Sequence, residues 1–206
     1  MPSQSKRLIF NNCVLEVCAE VYEPAEDSFL FAENLPKQKT ACVLDMGTGC
    51  GILGIITAKR AHYVLAVDIN PHAIRCAKQN ANINKVSGKM AFIQGDLFSA
   101  LKPNKKFDLI LFNAPYLPSE ETENTFWLGR AWAGGTTGRQ VIDQFILQAP
   151  HYLKRNGKIL LMQSSLSNVE ETCRLFSAQS LSTNIVAVQS FPFFETLVLI
   201  EAQAST

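Results

Sequence analysis

Short unbroken apolar runs along this chain alternate with segments whose apolar positions recur every three to four residues. That alternation is the pattern of an α/β fold built on a largely parallel sheet. The runs Ala41–Leu44, Tyr63–Val67, Met90–Gln94, Phe107–Phe112 and Lys158–Gln163 predict strands. Ile185–Val188 and Thr196–Glu201 follow, and a turn at Pro192 could join them as an antiparallel hairpin. Helical spacing predicts Ile52–Arg60, a helix from Pro71 to about Asn82 capped by Asn70, Arg139–Leu153, and Ser167 to about Gln179. Seven strands result, in a mostly parallel, Rossmann-like sheet that ends in an antiparallel hairpin.

Two stretches stand outside this rhythm. Tyr22-Glu23-Pro24-Ala25-Glu26-Asp27-Ser28 opens a helix, with Pro24 at an early position and acids in the first turn, and ordinary capping accounts for it equally well. Leu117 to Gly138 is a long irregular insertion carrying Trp127, Trp132, Gly134, Gly135 and Gly138. Loops of that length usually act as lids or binding surfaces.

The candidate chemistry gathers where strands should end. Asp45-Met46-Gly47-Thr48-Gly49-Cys50-Gly51 follows the first sheet strand, and Gly49-x-Gly51-x-x-Gly54 formally satisfies the dinucleotide pattern. Asp45 separates the two cofactor readings: a carboxylate there can face a cationic amino-acid tail, whereas it would repel a pyrophosphate. Asp68, ending the second strand, can receive ribose hydroxyls from either cofactor. Asp96, after the third, can accept an adenine amine, with Leu97 packing on the ring. The set favours S-adenosylmethionine, with S-adenosylhomocysteine as product.

Downstream of the fourth strand stands Asn113-Ala114-Pro115-Tyr116. The Asn113 side-chain oxygen and the Ala114 carbonyl can accept the two N–H bonds of a planar amide or amino group. Pro115 fixes the turn and holds Ala114 extended, and Tyr116 can cover the planar group. Such nitrogens are poor nucleophiles, so holding them beside an electrophilic methyl is most of the catalysis. An Asn bonded to its own backbone in a strand-to-loop turn is the alternative.

Composition narrows the field. The 206 residues, 47% apolar and 18% charged, fit one domain, in which 1–40 form an N-terminal segment with a capping helix and 117–138 a substrate-side loop. Net charge is +1, and the densest basic cluster, Lys102, Lys105 and Lys106, reads as a solvated loop, so nucleic-acid binding is disfavoured. Met1 to Lys6 is polar and no apolar run suits a membrane helix, so a cytoplasmic protein is expected. The six cysteines show no CxxC spacing, and reduced thiols without a metal are expected, Cys42 and Cys76 as core residues.

These residues resemble class I S-adenosylmethionine-dependent methyltransferases, and more narrowly the HemK family of release-factor glutamine methyltransferases. Tyr22 to Ser28 is similar to the YEPAED-S/T segment of the short archaeal and eukaryotic branch, and Ala131 to Gly135 with Gly138-Arg139 to its AWAGG-x-x-GR loop. The 44 residues before Asp45 leave no room for the helical recognition domain of bacterial members, which favours the short branch. The resemblance implies Ser28, Asp45, Gly47, Gly49, Asp68, Asp96, Leu97 and Asn113 as cofactor contacts and Asn113 to Tyr116 as the substrate clamp. Its implied substrate is the Gln of the Gly-Gly-Gln loop in a class 1 translation termination factor. One departure is Ala114, where the family clamp has Pro; the carbonyl survives, and ring stiffness is lost.

The resemblance also implies a small zinc-ribbon activator pairing along the free sheet edge, expected at Met90 to Gln94. That run carries no charge to blunt edge pairing, although the chain's own loops could cover it. Methylation of adenine in nucleic acid, methylation of a protein lysine, and a non-catalytic cofactor-binding subunit remain open.

Overall fold

The computed structural model describes residues 5–120, 125–191 and 195–204. They form two compact units, 1–101 and 102–206. Among the described residues a seven-stranded sheet runs in the order β5-β4-β3-β6-β7-β9-β8, with a separate two-stranded hairpin β1-β2.

In the first unit, β3 (Cys42–Met46), β4 (Tyr63–Asp68) and β5 (Met90–Gln94) are parallel, with Asp45 opposite Ala66 and Asp68 opposite Gln94. β3 starts one residue later and ends two later than its apolar run, because Asp45 and Met46 still pair with β4. Val43, Leu44, Val64, Ala66 and Val67 are fully buried, as strands covered on both faces must be. α2 (Ile52–Ala58) stops two residues short of the predicted Arg60. α3 (Pro71–Ile83) begins as expected, with the Asn70 side chain accepting from the His72 amide and Pro71 at the first position. α1 (Glu26–Glu33) has Glu26 and Asp27 in its first turn, but Pro24 precedes the cap residue Ala25 and lies outside the helix.

The N-terminal hairpin, β1 (Lys6–Phe10) with β2 (Cys13–Val17), is absent from the sequence-based prediction. Asn11 and Asn12 turn it, with φ of 48° and 57°, the left-handed pair that two-residue hairpins need. Its pattern was available: Cys13, Leu15 and Val17 are buried at every second position. Side-chain amides of α3 and of the residue that follows it then serve as its outer partner. Asn80 and Asn84 accept from the Glu16 and Val14 amides (2.8 and 3.0 Å) and donate to the same residues' carbonyls (3.0 and 2.7 Å).

In the second unit, β6 (Phe107–Asn113) pairs in parallel with β7 (Leu153–Ser164), setting Asn113 opposite Met162. β9 (Thr196–Ala204) is antiparallel to β7 and to β8 (Leu181–Ser190), which forms the expected hairpin ladder; the predicted Pro192 turn lies outside the described residues. The predicted helix to Leu153 breaks early. α4 (Gln140–Gln148) gives way to a 3-10 turn over Ala149–Tyr152, because Pro150 has no N–H for the helix ladder, and Leu153 already starts β7. α5 (Val169–Ala178) is capped by Asn168, whose side chain accepts from the Glu171 amide. Ile110, Phe145, Ile159, Phe176 and Leu199 fill this unit's core.

Among the described residues no cysteine forms a disulfide; Cys76 is buried, and Cys42 is only half-buried at the first residue of β3.

Candidate active site

Asp45 is the centre of the first unit's strand-end cluster. It is 1% exposed, and its Oδ2 accepts from Thr48 Oγ1 at 2.6 Å and from the Gly54 amide at 3.0 Å. Gly54 is required by this approach, since a Cβ there would lie 2.6 Å from Asp45 Oδ2. Asp45 Oδ1 is equally buried and has no hydrogen-bond partner among the described residues. Burial pushes the carboxyl from its ordinary 3.8 up to about 7, against the pull of Thr48 and the Gly54 amide. A buried carboxylate with an idle oxygen calls for a cation. The ammonium of the S-adenosylmethionine expected from the sequence fits that requirement.

The same geometry argues against a dinucleotide. The Gly54 amide belongs to the first turn of α2, where a pyrophosphate would take its hydrogen bonds, and Asp45 already occupies it.

Asp68 arranges the neighbouring turn. Its Oδ2 accepts from the Gly49 amide at 2.8 Å and its Oδ1 from the Asn70 amide at 2.9 Å, while desolvation raises its pKa. Each oxygen retains a further lone pair for a hydroxyl. Gly47 and Gly49 both take positive φ, 62° and 57°. Gly95 donates to the Asp68 carbonyl at 2.9 Å, tying the end of β5 to that of β4 just before Asp96. Asp96 is exposed, and Leu97 is 8% exposed with φ of 45°, a backbone conformation uncommon for leucine. Ser28 lies in α1, where its Oγ and its amide both meet Asp27 Oδ1 (3.1 and 2.6 Å). Tyr22 reaches the same oxygen at 3.2 Å, and burial together with Asp27 raises its phenol pKa. Thr48 and Asp27 were missed as site residues; a hydroxyl three positions after Asp45 and an acid beside Ser28 were the signals.

The clamp belongs to the second unit. Asn113 is the last residue of β6, Ala114 is 2% exposed, and Pro115 and Tyr116 are half-buried. The loop beyond is fastened rather than irregular. Leu117 donates to the Trp132 carbonyl and accepts from the Gly134 amide (3.0 and 2.8 Å), forming a bridge with Ala133. Ser119 donates to the Gly135 carbonyl at 3.0 Å, and the Gly135 amide donates back to Ser119 Oγ at 3.1 Å. Gly138, at φ of 70°, lies so close to Tyr116 that a Cβ would stand 2.3 Å from its carbonyl oxygen. The loop's rings form a second cluster: Phe126 meets Trp132 edge-on at 6.3 Å, and the Arg130 guanidinium covers Trp127 at 5.0 Å. Residues 121–124 of the predicted insertion lie outside the described residues.

An acid-lined glycine turn on a mostly parallel sheet with one antiparallel C-terminal strand defines a methyltransferase, and the family described as Methyltransferase small domain matches residues 24–128. The chain belongs to the HemK family. A Methanocaldococcus jannaschii protein, provisionally named a protein N5-glutamine methyltransferase, is 42% identical over 187 residues, covering 90% of this chain and 93% of its own length. Methyltransferase HEMK2 of Homo sapiens is 33% identical over 175 residues, 79% of this chain and 80% of its own. The solved Mtq2-Trm112 complex of E. cuniculi, described as responsible for methylating the eRF1 termination factor, shares the fold with a TM-score of 0.68 at 23% identity, covering 90% of this chain and 99% of that one.

Proposed function

We propose that this chain transfers a methyl group from S-adenosylmethionine to the side-chain amide nitrogen of the Gln in the Gly-Gly-Gln loop of a class 1 translation termination factor. The observation that carries the reading is an Asn at the end of β6, followed by a buried residue, Pro and Tyr, in a chain similar along nine-tenths of its length to a protein named for glutamine methylation. S-adenosylmethionine supplies, when bound, a methyl carbon made electrophilic by its sulfonium. Asp45 holds the ammonium, Asp68 the ribose, and Asp96 with Leu97 the adenine, while Ser28, Gly47, Gly49 and Asn113 complete the cofactor set. Asn113 Oδ1 and the Ala114 carbonyl accept the two amide N–H bonds and aim the nitrogen, Tyr116 covers the amide, and Pro115 holds the turn. The new N–C bond replaces the S–C bond, S-adenosylhomocysteine leaves, and the amide proton passes to water.

Labelled methyl transfer to a release factor, to its Gln-to-Ala variant and to DNA tests this directly. Label on the first alone is the expected result, and label on DNA alone refutes it.

The partner reading rests on β5. It ends the sheet, its residues Ala91, Phe92 and Ile93 are half-buried, and none of its five residues is charged. A small zinc-ribbon activator adding a strand there fits that edge, and Phe92→Asp is expected to abolish its co-purification; retained pairing refutes the placement. A translation-factor substrate puts the enzyme in the cytoplasm. Among the described residues no helix is long and apolar enough to cross a membrane.

A further inference from the structure

We propose that Arg139 is a positioning residue for the amide clamp, acting through Gly138 on the Tyr116 carbonyl; this rests on the amide-transfer reading above. Arg139 is 8% exposed, and a buried guanidinium is costly unless hydrogen bonds meet it; both terminal nitrogens are bonded, while Nε has no hydrogen-bond partner among the described residues. Its Nη1 donates to the carbonyls of Ser167 and Asn168 (the latter at 2.7 Å) and to Thr172 Oγ1 at 3.1 Å, and its Nη2 pairs with Asp143 Oδ1 at 2.6 Å. One planar fork therefore ties the start of α4 to the corner between β7 and α5.

Each end of that tie reaches the clamp. On the near side, Gly138 immediately precedes Arg139 and packs its backbone against Tyr116, and the Gln140 amide donates to the Gly134 carbonyl at 2.9 Å. On the far side, the buried Gln163 donates to Ser167 Oγ at 3.1 Å, and Ser167 Oγ donates to the Ser164 carbonyl at 2.8 Å. Gln163 directly follows Met162, the strand partner of Asn113. Arg139 thus closes a circuit that contains both ends of the clamp: Asn113 through strand pairing, Tyr116 through the glycine contact. An Asp143 ion pair alone would need only a surface lysine; holding Asp143 and the β7–α5 corner together takes both terminal nitrogens of the guanidinium, Nη2 on the first and Nη1 on the second.

The test compares wild type, Arg139→Ala, Arg139→Lys and Thr172→Val in single-turnover transfer at saturating cofactor and substrate. Arg139→Ala is expected to lower the rate by about 10- to 100-fold, the scale of an ångström-level misplacement. Its cofactor Kd should stay within about twofold, lysine should recover only part of the rate, and millimolar guanidinium should restore some of it. Thr172→Val, which keeps the shape and loses one hydrogen bond, is expected to cost about two- to fivefold and serves if the alanine variant does not fold. A merely structural role would leave the rate per cofactor-competent molecule unchanged and insensitive to guanidinium, and that result overturns the proposal. The chain's two tryptophans, Trp127 and Trp132, both lie on the clamp loop, so acrylamide quenching reads the loop without any assay of transfer. Increased quenching in Arg139→Ala supports the proposal even if the wild type methylates something other than the glutamine substrate; unchanged quenching overturns it.

Discussion

The cofactor cradle and the amide clamp are built in opposite ways. At the cradle's centre, Thr48 and Gly54 bond the Asp45 carboxyl from within ten positions of sequence, so the turn that carries the chemistry also carries its own support. The clamp is four consecutive residues, but what fixes them comes from far along the chain: Trp132 to Gly138 on one side, and Met162 to Thr172, through Arg139, on the other. A locally supported site should fail at the residue that is changed. A remotely supported one should fail from a distance.

The largest expected effect separates the two regions cleanly. Asn113→Ala should lower kcat by roughly 10²- to 10³-fold, the usual cost of removing one preset dipole, while cofactor affinity by isothermal titration falls far less. A loss of cofactor binding as large as the loss of rate would mean that Asn113 serves the cradle before the clamp and that the division is wrong.

Asp45→Asn should do the reverse. Losing a charge-assisted contact worth about 1.5–3 kcal/mol weakens cofactor binding roughly 10- to 150-fold, with kcat approaching wild type at saturation. pH sharpens this result. Because the Asp45 pKa is raised to about 7 in the folded chain, the folded state holds more protons than the unfolded state between about pH 4 and 7. Stability of the unliganded protein therefore falls as pH rises through that window, in the same direction as the raised Asp68 pushes it. Cofactor affinity moves the opposite way, rising with pH through about 7, where the Asp45 carboxyl is half ionised, and levelling off above it. Thermal midpoints and titrations at pH 5.5 and 7.5 check both signs, and Asp45→Asn should flatten most of each slope.

The smallest effect is expected at Ala114. Replacing it with the family's Pro removes backbone freedom from the unfolded chain, adding about 0.4–1 kcal/mol of stability, with a change in kcat below about fivefold. A large loss of rate would show that the Ala114 amide, and not only its carbonyl, takes part in the clamp.

Much of this was legible before any coordinates, for identifiable reasons. The buried strands announced themselves as unbroken apolar runs, and Asn70-Pro71 marked the start of α3 because capping is a matter of adjacent residues. Asp45, Asp68 and Asp96 were visible because they follow strand runs in order. The errors came from weaker or competing signals. The hairpin at Asn11-Asn12 escapes the pattern because its left-handed turn carries no glycine, the usual mark of a two-residue hairpin, and the expected helix at α4 runs too long because apolar spacing continues through Pro150. Thr48 and Asp27 carry no ligand-binding signal of their own because Thr48 acts on the Asp45 carboxylate and Asp27 on the hydroxyls of Ser28 and Tyr22, rather than on a ligand.

The order of residues alone determined the α/β alternation, the strand-end acids and the Asn-Ala-Pro-Tyr turn, since hydrophobic period, capping and turn chemistry act over a few bonds. Only the tertiary structure decided that Asp45 keeps one oxygen idle, that Gly138 rests on the Tyr116 carbonyl and that Arg139 spans α4 and the β7–α5 corner. Those facts depend on which groups lose water together and which backbones touch, and burial and close approach are set by packing between segments distant in the chain.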